Sequence, residues 1–250
     1  MTRKLATVIL AAGKGKRMKN PDKSKVMHKL LNKPIIEYVV ELAHKIHSEK
    51  IIVIVGHQKK SVIDFLENKF GSNKIKFAHQ DVQLGTGHAV MQTESGLTVF
   101  DGEVLILSGD VPLLEYKTVD EFLKFHSEGG FSASLISAHF EDPSGYGRII
   151  RNASGDFIDI KEEKDSTEEQ KKIKEINSGI YLVDNKKLFD ALKTLSSDNS
   201  QGEYYLTDIF RDFISKKYKI GAMPVNNTLE ITGVNTIEQL TEMENLINLK

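Results

Sequence analysis

Short apolar segments alternate along the chain with amphipathic segments, and this alternation limits the fold more than any other feature of the sequence. Apolar runs of about four to eight residues favour buried strands, whereas apolar residues repeated every three or four positions favour helices that lie on a sheet. The alternation predicts an α/β protein with a mostly parallel sheet covered by helices. The predicted strands are 6–12, 51–55, 75–78, 104–107, 132–138, 148–151, 157–160, 179–183 and 220–224.

Helices are predicted in the amphipathic segments between these strands. The first is expected to begin near Pro34, whose fixed φ suits the first turn of a helix, with Asn32 as a candidate cap. Its apolar residues fall on one face, which is typical of a helix that packs on a sheet. Further helices are predicted around 62–70, 118–126, 186–195, 205–216 and 236–247.

Size and composition favour one globular domain. With 250 residues, 40% of them hydrophobic, the chain can bury a full core, and we expect a single domain over residues 1–250. Because 35 acidic residues nearly balance 34 basic ones, a nucleic-acid partner is not expected. No apolar stretch approaches the roughly 20 residues of a membrane span, so we expect a cytoplasmic protein with no membrane partner. The absence of cysteine excludes disulfides, thiolate zinc sites and a thiol nucleophile.

The first predicted strand leads directly into a basic loop with two glycines. Residues 13–17 read GKGKR, and Gly13 and Gly15 have no side chain to keep an oxyanion away from the backbone N–H groups. The loop therefore suits a phosphate, although its sequence alone equally allows a solvated turn with surface lysines. The cations that would neutralise a phosphate are Lys14, Lys16, Arg17 and, one short loop further on, Lys25.

This loop matches neither of the two best-known phosphate-binding sequences. A Walker-type loop needs a hydroxyl residue after its lysine, and residues 13–19 contain none. The dinucleotide fingerprint needs a third glycine where Met18 stands. A P-loop nucleotidase and a Rossmann dehydrogenase are therefore both excluded.

Two later strands also end in polar residues. Because ligands bind beyond the carboxyl ends of strands in an open parallel sheet, these residues are expected to meet the basic loop. The third predicted strand is followed by Gln80, Gln83 and a GTG turn at 85–87, and the fourth is followed by Asp110. Cations, amides and an acid together suit a nucleotide and its metal. Taken singly, the glutamines could satisfy local backbone groups, and Asp110 could cap a helix after Pro112.

The histidines do not indicate a metal site. His44 and His47 have helical spacing, but no third nitrogen or carboxylate ligand accompanies them. Without cysteine or a histidine cluster, the expected metal is a hard ion that prefers oxygen ligands, and Mg²⁺ is the predicted cofactor.

Segments spread over most of the chain resemble one enzyme family. They are LAAGKGKRM, SKVMHKL, QDVQLGTGHAV, LSGDVPLL, DPSGYGRI, KEEKD, EINSGIY, QGEYYLTDI and ITGVN, between residue 10 and about residue 235. In this order they resemble the sugar-1-phosphate nucleotidyltransferases, and among these the bacterial N-acetylglucosamine-1-phosphate uridyltransferases. The resemblance implies a Rossmann-like fold of the nucleotide-diphospho-sugar transferase type, with a mixed sheet and a small sugar-binding lobe. It also implies Mg²⁺-assisted transfer of UMP from UTP to N-acetylglucosamine 1-phosphate, giving UDP-N-acetylglucosamine and pyrophosphate.

The resemblance further implies roles for particular residues. Arg17 and Lys25 would act as catalytic cations on the phosphates of UTP, and Asp110 and Asn235 would hold Mg²⁺. The residues that would line the nucleotide are Leu10, Ala11, Ala12 and Gly13, with Gln80, Gly85 and Thr86 on the uracil edge. The residues that would bind the sugar and its acetamide group are Gly147, Glu162 and Asn177.

The chemistry of such a transfer needs no protein nucleophile. The attacking oxygen belongs to a sugar phosphate that is already ionised at neutral pH, so the protein has to bring two polyanions together by positioning and charge neutralisation. We therefore predict direct attack on the α-phosphorus without a covalent enzyme intermediate.

The sequence departs from the family pattern in three places. Ser24 stands where a proline usually precedes the lysine, and Ser108 stands where some members carry an aromatic residue. Many relatives continue into a left-handed β-helix that acetylates glucosamine 1-phosphate and forms trimers, whereas this chain stops at Lys250. We therefore expect no acetyltransferase activity and no such trimer, and the oligomeric state stays open.

Two alternative functions remain open at this point. A pyrophosphorylase for another sugar 1-phosphate, of the UDP-glucose type, would share the basic loop and Asp110 but differ at Gly147, Glu162 and Asn177. A catalytically silent nucleotide-binding regulator would bind UTP without releasing pyrophosphate. The substrates expected for this chain are UTP and N-acetylglucosamine 1-phosphate.

Overall fold

A central sheet organises the protein in a computed structural model that describes residues 4–18, 20 and 22–249. The described strands of the protein are β1 (Leu5–Ala11), β2 (Lys29–Leu30), β3 (Lys33–Pro34), β4 (Lys50–Val55), β5 (Lys76–His79), β6 (Glu103–Ser108), β7 (Ala133–His139), β8 (Arg148–Arg151), β9 (Phe157–Lys161), β10 (Glu175–Asp184) and β11 (Ile220–Val225), of which β2 and β3 form a separate hairpin. Its helices are α1 (Ile35–Lys45), α2 (Lys59–Phe70), α3 (Thr86–Met91), α4 (Glu94–Leu97), α5 (Tyr116–Gly129), α6 (Glu168–Lys171), α7 (Asn185–Leu192), α8 (Ile209–Ser215) and α9 (Ile237–Asn248). Within these described segments, no helix is both long and apolar enough to cross a membrane.

The sheet is mixed and mostly parallel, which confirms the predicted fold class. Its strand order is β11-β7-β10-β6-β1-β4-β5, with β6, β1, β4 and β5 parallel to one another and β11 parallel to β7. β10 runs antiparallel to both of its neighbours, β6 and β7. β8 and β9 form an antiparallel pair that joins the sheet where Arg148 pairs with Ile176 of β10. We call this pair, together with the start of β10, the β8–β9 lobe.

Helices cover both faces of the sheet, and this is why the strands read as continuous apolar runs. Along β1, the side chains of Ile9 and Ala11 belong to the core under α1, α2 and α5. Those of Ala6 and Val8 belong to the core under α3, α7 and α8. A third apolar cluster packs α9 against β2 and the start of α1. The parallel strands are thereby held with their carboxyl ends at one edge of the sheet.

The hairpin of β2 and β3 is absent from the sequence prediction, and it changes the start of the first helix. Leu31 and Asn32 have φ values of 48° and 67°, in the left-handed region that two-residue hairpin turns use. Helix α1 begins only after Pro34. The prediction of Asn32 as a helix cap is therefore wrong, because asparagine tolerates the left-handed region and makes the turn instead.

Strand β10 is longer than predicted, since it begins at Glu175 rather than at residue 179. Gly179 has φ 78°, and the pairing with β7 shifts its register between Asn177 and Tyr181. This irregularity interrupts the alternation of side chains by which a strand is read from a sequence. Helices α3, α4 and α6 also escape prediction, because segments of four to six residues are too short to show a helical repeat.

Candidate active site

A cleft of about 560 Å³ opens at the carboxyl ends of β1, β5 and β6, where the sequence places its polar strand exits. From the predicted site, the residues that line it are Leu10, Ala11, Ala12, Gly13, Lys25, Gln80, Gly85, Thr86 and Asp110. Further lining residues include Lys14, Gly15, Gln83, Ser108 and Glu203. The fold therefore gathers segments that are distant in sequence around a single space.

In the basic loop, Gly15 packs against Lys25, whereas Gly13 faces open space. Gly15 has φ 57°, and a Cβ built on it would lie 2.7 Å from the Cβ of Lys25, so that only glycine allows this approach. Met18 closes the turn by donating its backbone N–H to the Gly15 carbonyl at 2.8 Å. A Cβ on Gly13 would meet no atom of the described residues within 4 Å. The side chain of Lys16, another predicted cation, lies outside what the structure describes.

Arg17, Lys25, Asp110 and Asn235 meet beside this loop, and we call these four residues the cation cluster. The Lys25 ammonium forms an ion pair with the Asp110 carboxylate and donates to Asn235 Oδ1 at 2.9 Å. Arg17 Nη2 donates to the same oxygen at 2.8 Å. The neighbouring Val234 donates its backbone N–H to the Asp110 carbonyl at 2.9 Å, which brings Asn235 to the end of β6. Two cationic side chains and two side-chain oxygen atoms that could bind a metal therefore lie together in one small volume.

Asp110 does not cap a helix, the alternative that its sequence context allows. The next helix, α5, begins only at Tyr116, with Glu115 before it in the capping position. The Asp110 carboxylate is instead committed to Lys25, and the two side chains keep 21% and 17% of their surface exposed. Part of each side chain is in contact with solvent, so a charged ligand can reach the pair. The pair can therefore open when a ligand offers better partners to both groups.

The cation cluster also suits a divalent metal. Asp110 Oδ2 and Asn235 Oδ1 converge on the Lys25 ammonium, which marks a point where oxygen donors surround a positive charge. Mg²⁺ is usually bound by one or two carboxylates and completes its shell with water and substrate phosphates. In the part of the chain that the structure describes, no three His, Cys, Asp or Glu side chains are grouped to hold a metal. The donor set therefore fits Mg²⁺ that is bound together with phosphate.

The loop after β5 is shaped by its own side chains and by a second segment. The buried Gln80 donates from Nε2 to the Gly85 carbonyl at 2.9 Å. Thr86 Oγ1 accepts the backbone N–H of Leu206 at 3.0 Å. A Cβ on Gly85, which has φ 106°, would lie 2.6 Å from the Tyr204 carbonyl oxygen. Gln80 thus satisfies local backbone, the alternative that the sequence leaves open, and it lines the cleft as well.

Of the predicted sugar residues, Gly147 and Asn177 meet in the β8–β9 lobe, and Glu162 directly follows β9. None of the three is among the residues that line the cleft. The backbone N–H of Asn177 donates to the Gly147 carbonyl at 2.8 Å, and its side chain donates to Tyr181 Oη at 2.7 Å. Thr207 Oγ1 donates to Glu162 Oε1 at 2.9 Å. The three predicted residues and these two partners form a second polar group, which we call the Glu162 group.

Burial raises the pKa of the Glu162 carboxyl above its ordinary value. The hydrogen bond from Thr207 opposes this shift because it favours the ionised form, and the negative charges of Asp208, Asp165 and Glu203 add to it. Glu203 also lines the cleft, so its negative charge acts on the Glu162 carboxyl from the side of the cleft. A buried carboxyl with a raised pKa is typical of functional positions.

Three residues of the site are missing from the sequence prediction. Glu203 and Thr207 belong to the segment QGEYYLTDI, which contributes to the family resemblance but receives no role from it. That motif was the signal that could have found them. Tyr181 gives no such signal, because it reads as one more apolar residue of a strand. Burial raises the pKa of its hydroxyl, which therefore stays protonated. The hydroxyl oxygen accepts a hydrogen bond from the side-chain amide of Asn177.

Comparison with known protein sequences agrees with this arrangement. The sequence model of the nucleotidyl transferase family matches residues 6–229. The chain is 49% identical, over 97% of its length, to the bifunctional protein GlmU of Thermoanaerobacter pseudethanolicus. It is 42% identical over 95% of its length to that of Acholeplasma laidlawii, and 41% identical over 99% to that of Geotalea daltonii. The matches cover 51%, 50% and 53% of these three proteins, so the chain spans about half their length.

A solved structure has the same architecture. It is the crystal structure of UDP-glucose pyrophosphorylase complexed with UDP-glucose, which aligns with a TM-score of 0.79 over 100% of this chain and 99% of its own. The two sequences are only 19% identical, so the likeness concerns the fold alone. It confirms the predicted nucleotide-diphospho-sugar transferase type.

Proposed function

The chain belongs to the nucleotidyl transferase family, and from this premise we propose that it transfers UMP from UTP to N-acetylglucosamine 1-phosphate, producing UDP-N-acetylglucosamine and pyrophosphate. The observation that carries the proposal is the cation cluster beside a cleft at the carboxyl ends of parallel strands. Two cations and two oxygen donors in one place suit a triphosphate and its metal. The ordered motifs and the GlmU relatives support the choice of sugar.

The nucleotide occupies the cleft in this proposal. Residues 10–13 offer backbone at the end of β1, and the open space before Gly13 leaves room for the triphosphate. Gln80, Gly85 and Thr86 lie after β5 and contribute polar groups of this second loop to the uracil edge. Arg17 and Lys25 contact the phosphates through charge-assisted hydrogen bonds, which are stronger than hydrogen bonds between neutral groups.

Asp110 and Asn235 hold Mg²⁺ in this proposal. Bound there, the metal would supply a positive charge that neutralises phosphate oxygens during the transfer. Arg17 and Lys25 occupy the same two oxygens in the structure, so binding requires them to release these oxygens and to turn to the phosphates. Phosphate oxygens would replace the partners that Lys25 loses, and the metal would replace the cation that Asp110 loses.

The sugar phosphate binds between the cleft and the Glu162 group. Gly147, Glu162 and Asn177 recognise the sugar hydroxyls and the acetamide group. Glu162 accepts a hydrogen bond from Thr207 in the structure, and its carboxylate has further acceptor capacity for a sugar hydroxyl. Because a site built for a hydrogen bond rejects analogues that lack the matching group, this group determines the choice of sugar.

The protein acts on the reaction by positioning. A phosphate oxygen of N-acetylglucosamine 1-phosphate forms the new bond to the α-phosphorus of UTP, while the bond from that phosphorus to the bridging oxygen breaks and pyrophosphate leaves. The incoming oxygen is already ionised, so no side chain has to remove a proton. Alignment and charge neutralisation by Arg17 and Lys25 supply the acceleration.

Pyrophosphate release from UTP with a panel of sugar 1-phosphates tests the proposal. We expect N-acetylglucosamine 1-phosphate to be used at least about 100-fold more efficiently than glucose 1-phosphate, since the two differ in a group that the site would hydrogen-bond. Omission of the sugar phosphate is the control and should give no pyrophosphate. A preference for glucose 1-phosphate would support the UDP-glucose alternative. Binding of UTP without pyrophosphate release for any sugar would support a silent regulator.

A further inference from the structure

Arg148 carries a positive charge that is almost completely buried at the start of β8. The residue is 1% exposed, although a guanidinium keeps its charge at any ordinary pH. Its Nη2 lies 2.7 Å from Glu163 Oε2, and its Nη1 donates to the Tyr146 carbonyl. Nε and Nη2 also donate to the Lys171 carbonyl, at 3.4 and 3.3 Å. A buried charge is tolerated only with such partners, so the guanidinium is held in one place.

Two of the proposed sugar residues are held next to Arg148. Gly147 lies between Arg148 and Tyr146, whose carbonyl accepts from the guanidinium, so the backbone of Gly147 is fixed from both sides. Asn177 follows Ile176, the residue of β10 that pairs with Arg148 in the sheet. The backbone N–H of Asn177 donates to the Gly147 carbonyl at 2.8 Å. A displacement of Arg148 would therefore move both residues.

The third proposed sugar residue is joined to Arg148 through Glu163. Glu162 directly precedes Glu163, which begins a turn of 3-10 helix at Glu163–Asp165. The Glu163 side chain keeps 32% of its surface exposed, whereas that of Arg148 keeps 2%. The 2.7 Å ion pair between Arg148 Nη2 and Glu163 Oε2 therefore ties Glu163, and with it Glu162, to the start of β8.

We propose that Arg148 is a positioning residue for sugar recognition: paired with Glu163, it sets the arrangement of Gly147, Glu162 and Asn177 without touching the substrate. This proposal rests on the proposed function. An ion pair that holds a buried charge is weak evidence for stability, since an apolar replacement is often no less stable. The contacts of Arg148 with the Tyr146 and Lys171 carbonyls and with Glu163 instead support a role in placing the residues around it. A shift of about 1 Å in a substrate-positioning group can cost on the order of 100-fold in rate.

A second ion pair on the same strand provides a matched control. Arg151 donates from Nε and Nη2 to the two carboxylate oxygens of Glu175, each at 2.7 Å. Its Nη1 donates to the Gly155 carbonyl in the turn between β8 and β9. The Arg151 side chain keeps 31% of its surface exposed, and these hydrogen bonds hold Glu175 and the turn rather than a proposed sugar residue. The two arginines therefore differ in what they hold.

The test compares Arg148→Lys, Glu163→Gln and Arg151→Lys in the full chain. Arg148→Lys keeps the charge and removes the planar geometry, so we expect the KM for N-acetylglucosamine 1-phosphate to rise about tenfold or more. The KM for UTP should change less than about twofold. The ratio of kcat/KM for N-acetylglucosamine 1-phosphate to kcat/KM for glucose 1-phosphate should fall. Glu163→Gln should give the same pattern with a smaller rise, and Arg151→Lys should leave both KM values near those of the parent chain.

Melting temperatures of all three variants show that they fold. If Arg148→Lys does not fold, Glu163→Gln decides by the same criterion, because its side chain is one-third exposed and keeps its shape. Equal changes in both KM values, or an unchanged sugar preference in a folded variant, would overturn the proposal. These outcomes require an active parent chain. A parent chain that releases no pyrophosphate from UTP and N-acetylglucosamine 1-phosphate would instead overturn the proposed function.

Discussion

The cation cluster and the Glu162 group hold their polar side chains in opposite ways. In the cation cluster, Lys25 and Asp110 pair with each other, and each keeps about a fifth of its side chain exposed. In the Glu162 group, Asn177 and Thr207 are 8% and 4% exposed, and their side chains are already hydrogen-bonded to Tyr181 and Glu162. The first arrangement can exchange its partners for those of a charged ligand. The second is shaped before any ligand arrives.

This difference between the cation cluster and the Glu162 group follows from the part of the substrates that each must bind in the proposed reaction. A triphosphate brings several negative charges, and cations that already hold an oxygen lose little when they turn to phosphate oxygens. A sugar brings hydroxyl and amide groups, which are distinguished by single, well-placed hydrogen-bond partners. We therefore expect substitutions in the cation cluster to reduce turnover, and substitutions in the Glu162 group to change substrate discrimination.

The largest effect is expected from Lys25→Met. This variant removes a cation proposed to contact the triphosphate, and kcat should fall by about 10²- to 10³-fold, the usual effect of losing one donor to developing negative charge. Steady-state pyrophosphate release measures the change. Lys33→Met is the matched control, because Lys33 also forms an ion pair, with Glu41, but does not line the cleft. A near-normal rate for Lys25→Met would remove Lys25 from the active site.

The next largest effect is expected from Glu162→Gln. The KM for N-acetylglucosamine 1-phosphate should rise by about tenfold to a hundredfold, the value of one hydrogen bond to a charged group. The KM for UTP should stay nearly constant, because the Glu162 group does not line the nucleotide cleft. Initial rates with each substrate varied in turn measure both constants. A larger change in the KM for UTP would place Glu162 on the nucleotide side.

The same variant should also change the pH dependence of stability. Because burial raises the pKa of Glu162 in the folded protein, ionisation of this carboxyl disfavours folding. The penalty is absent below the ordinary pKa of glutamate, where both states are protonated, and it grows as the pH rises towards the raised pKa. Glu162→Gln should therefore have the larger free energy of unfolding at about pH 8 but not at about pH 4. Urea unfolding at both pH values measures this, and an equal difference at the two would contradict it.

Gly13 faces open space in the cleft, whereas the space beside Gly85 is filled by the Tyr204 backbone, so alanine should have different effects at the two positions. Gly13→Ala should leave the free energy of unfolding within about 0.5 kcal/mol of the parent value. Its affinity for UTP should fall about tenfold, because the added methyl group competes with the nucleotide. Gly85→Ala should destabilise the fold by about 1–3 kcal/mol, because φ 106° and the Tyr204 carbonyl exclude a side chain. An unchanged UTP affinity in Gly13→Ala would show that the nucleotide does not use this space.

The smallest effect is expected from Ser24→Pro. Ser24 has φ −58° and ψ 138°, which proline adopts readily, and its buried hydroxyl has no hydrogen-bond partner among the described residues. The substitution should raise the free energy of unfolding by about 0.4–1 kcal/mol by restricting the unfolded chain. Ser24→Ala is the control, since it removes the hydroxyl but leaves the backbone free. A proline variant no more stable than the alanine variant would argue against the backbone effect.

Much of the cleft was predictable from the sequence because three of its polar segments follow predicted strands, whereas Lys25 and Glu203 lie elsewhere in the chain. The apolar runs of β1 and β6 are plain in the sequence, that around β5 is short, and parallel strands bring their carboxyl ends to one edge. Gln80 and Asp110 could therefore be placed near the basic loop without any contact being known. Their local hydrogen bonds could not be predicted, because a glutamine or aspartate in a loop has several equally good partners.

The cation cluster and the lobe depend on contacts that no local pattern records. Asn235 reaches Lys25 because Val234 donates to the Asp110 carbonyl, a contact between distant segments. The register shift at Gly179 hides the first part of β10. Only the family resemblance pointed to Asn235 and Asn177, and it gave no role to the buried Arg148, which its segment DPSGYGRI contains.

Calorimetric titration of UTP into the parent chain and into Asp110→Asn, at a series of Mg²⁺ concentrations, tests the central claim most directly. The claim is that the cation cluster binds a triphosphate together with Mg²⁺. We predict that the parent chain binds UTP in a Mg²⁺-dependent way and that Asp110→Asn needs about tenfold more Mg²⁺ for the same affinity, the loss of one charged ligand. No heat of UTP binding in the parent chain at any Mg²⁺ concentration, or the same Mg²⁺ dependence in both proteins, would contradict it.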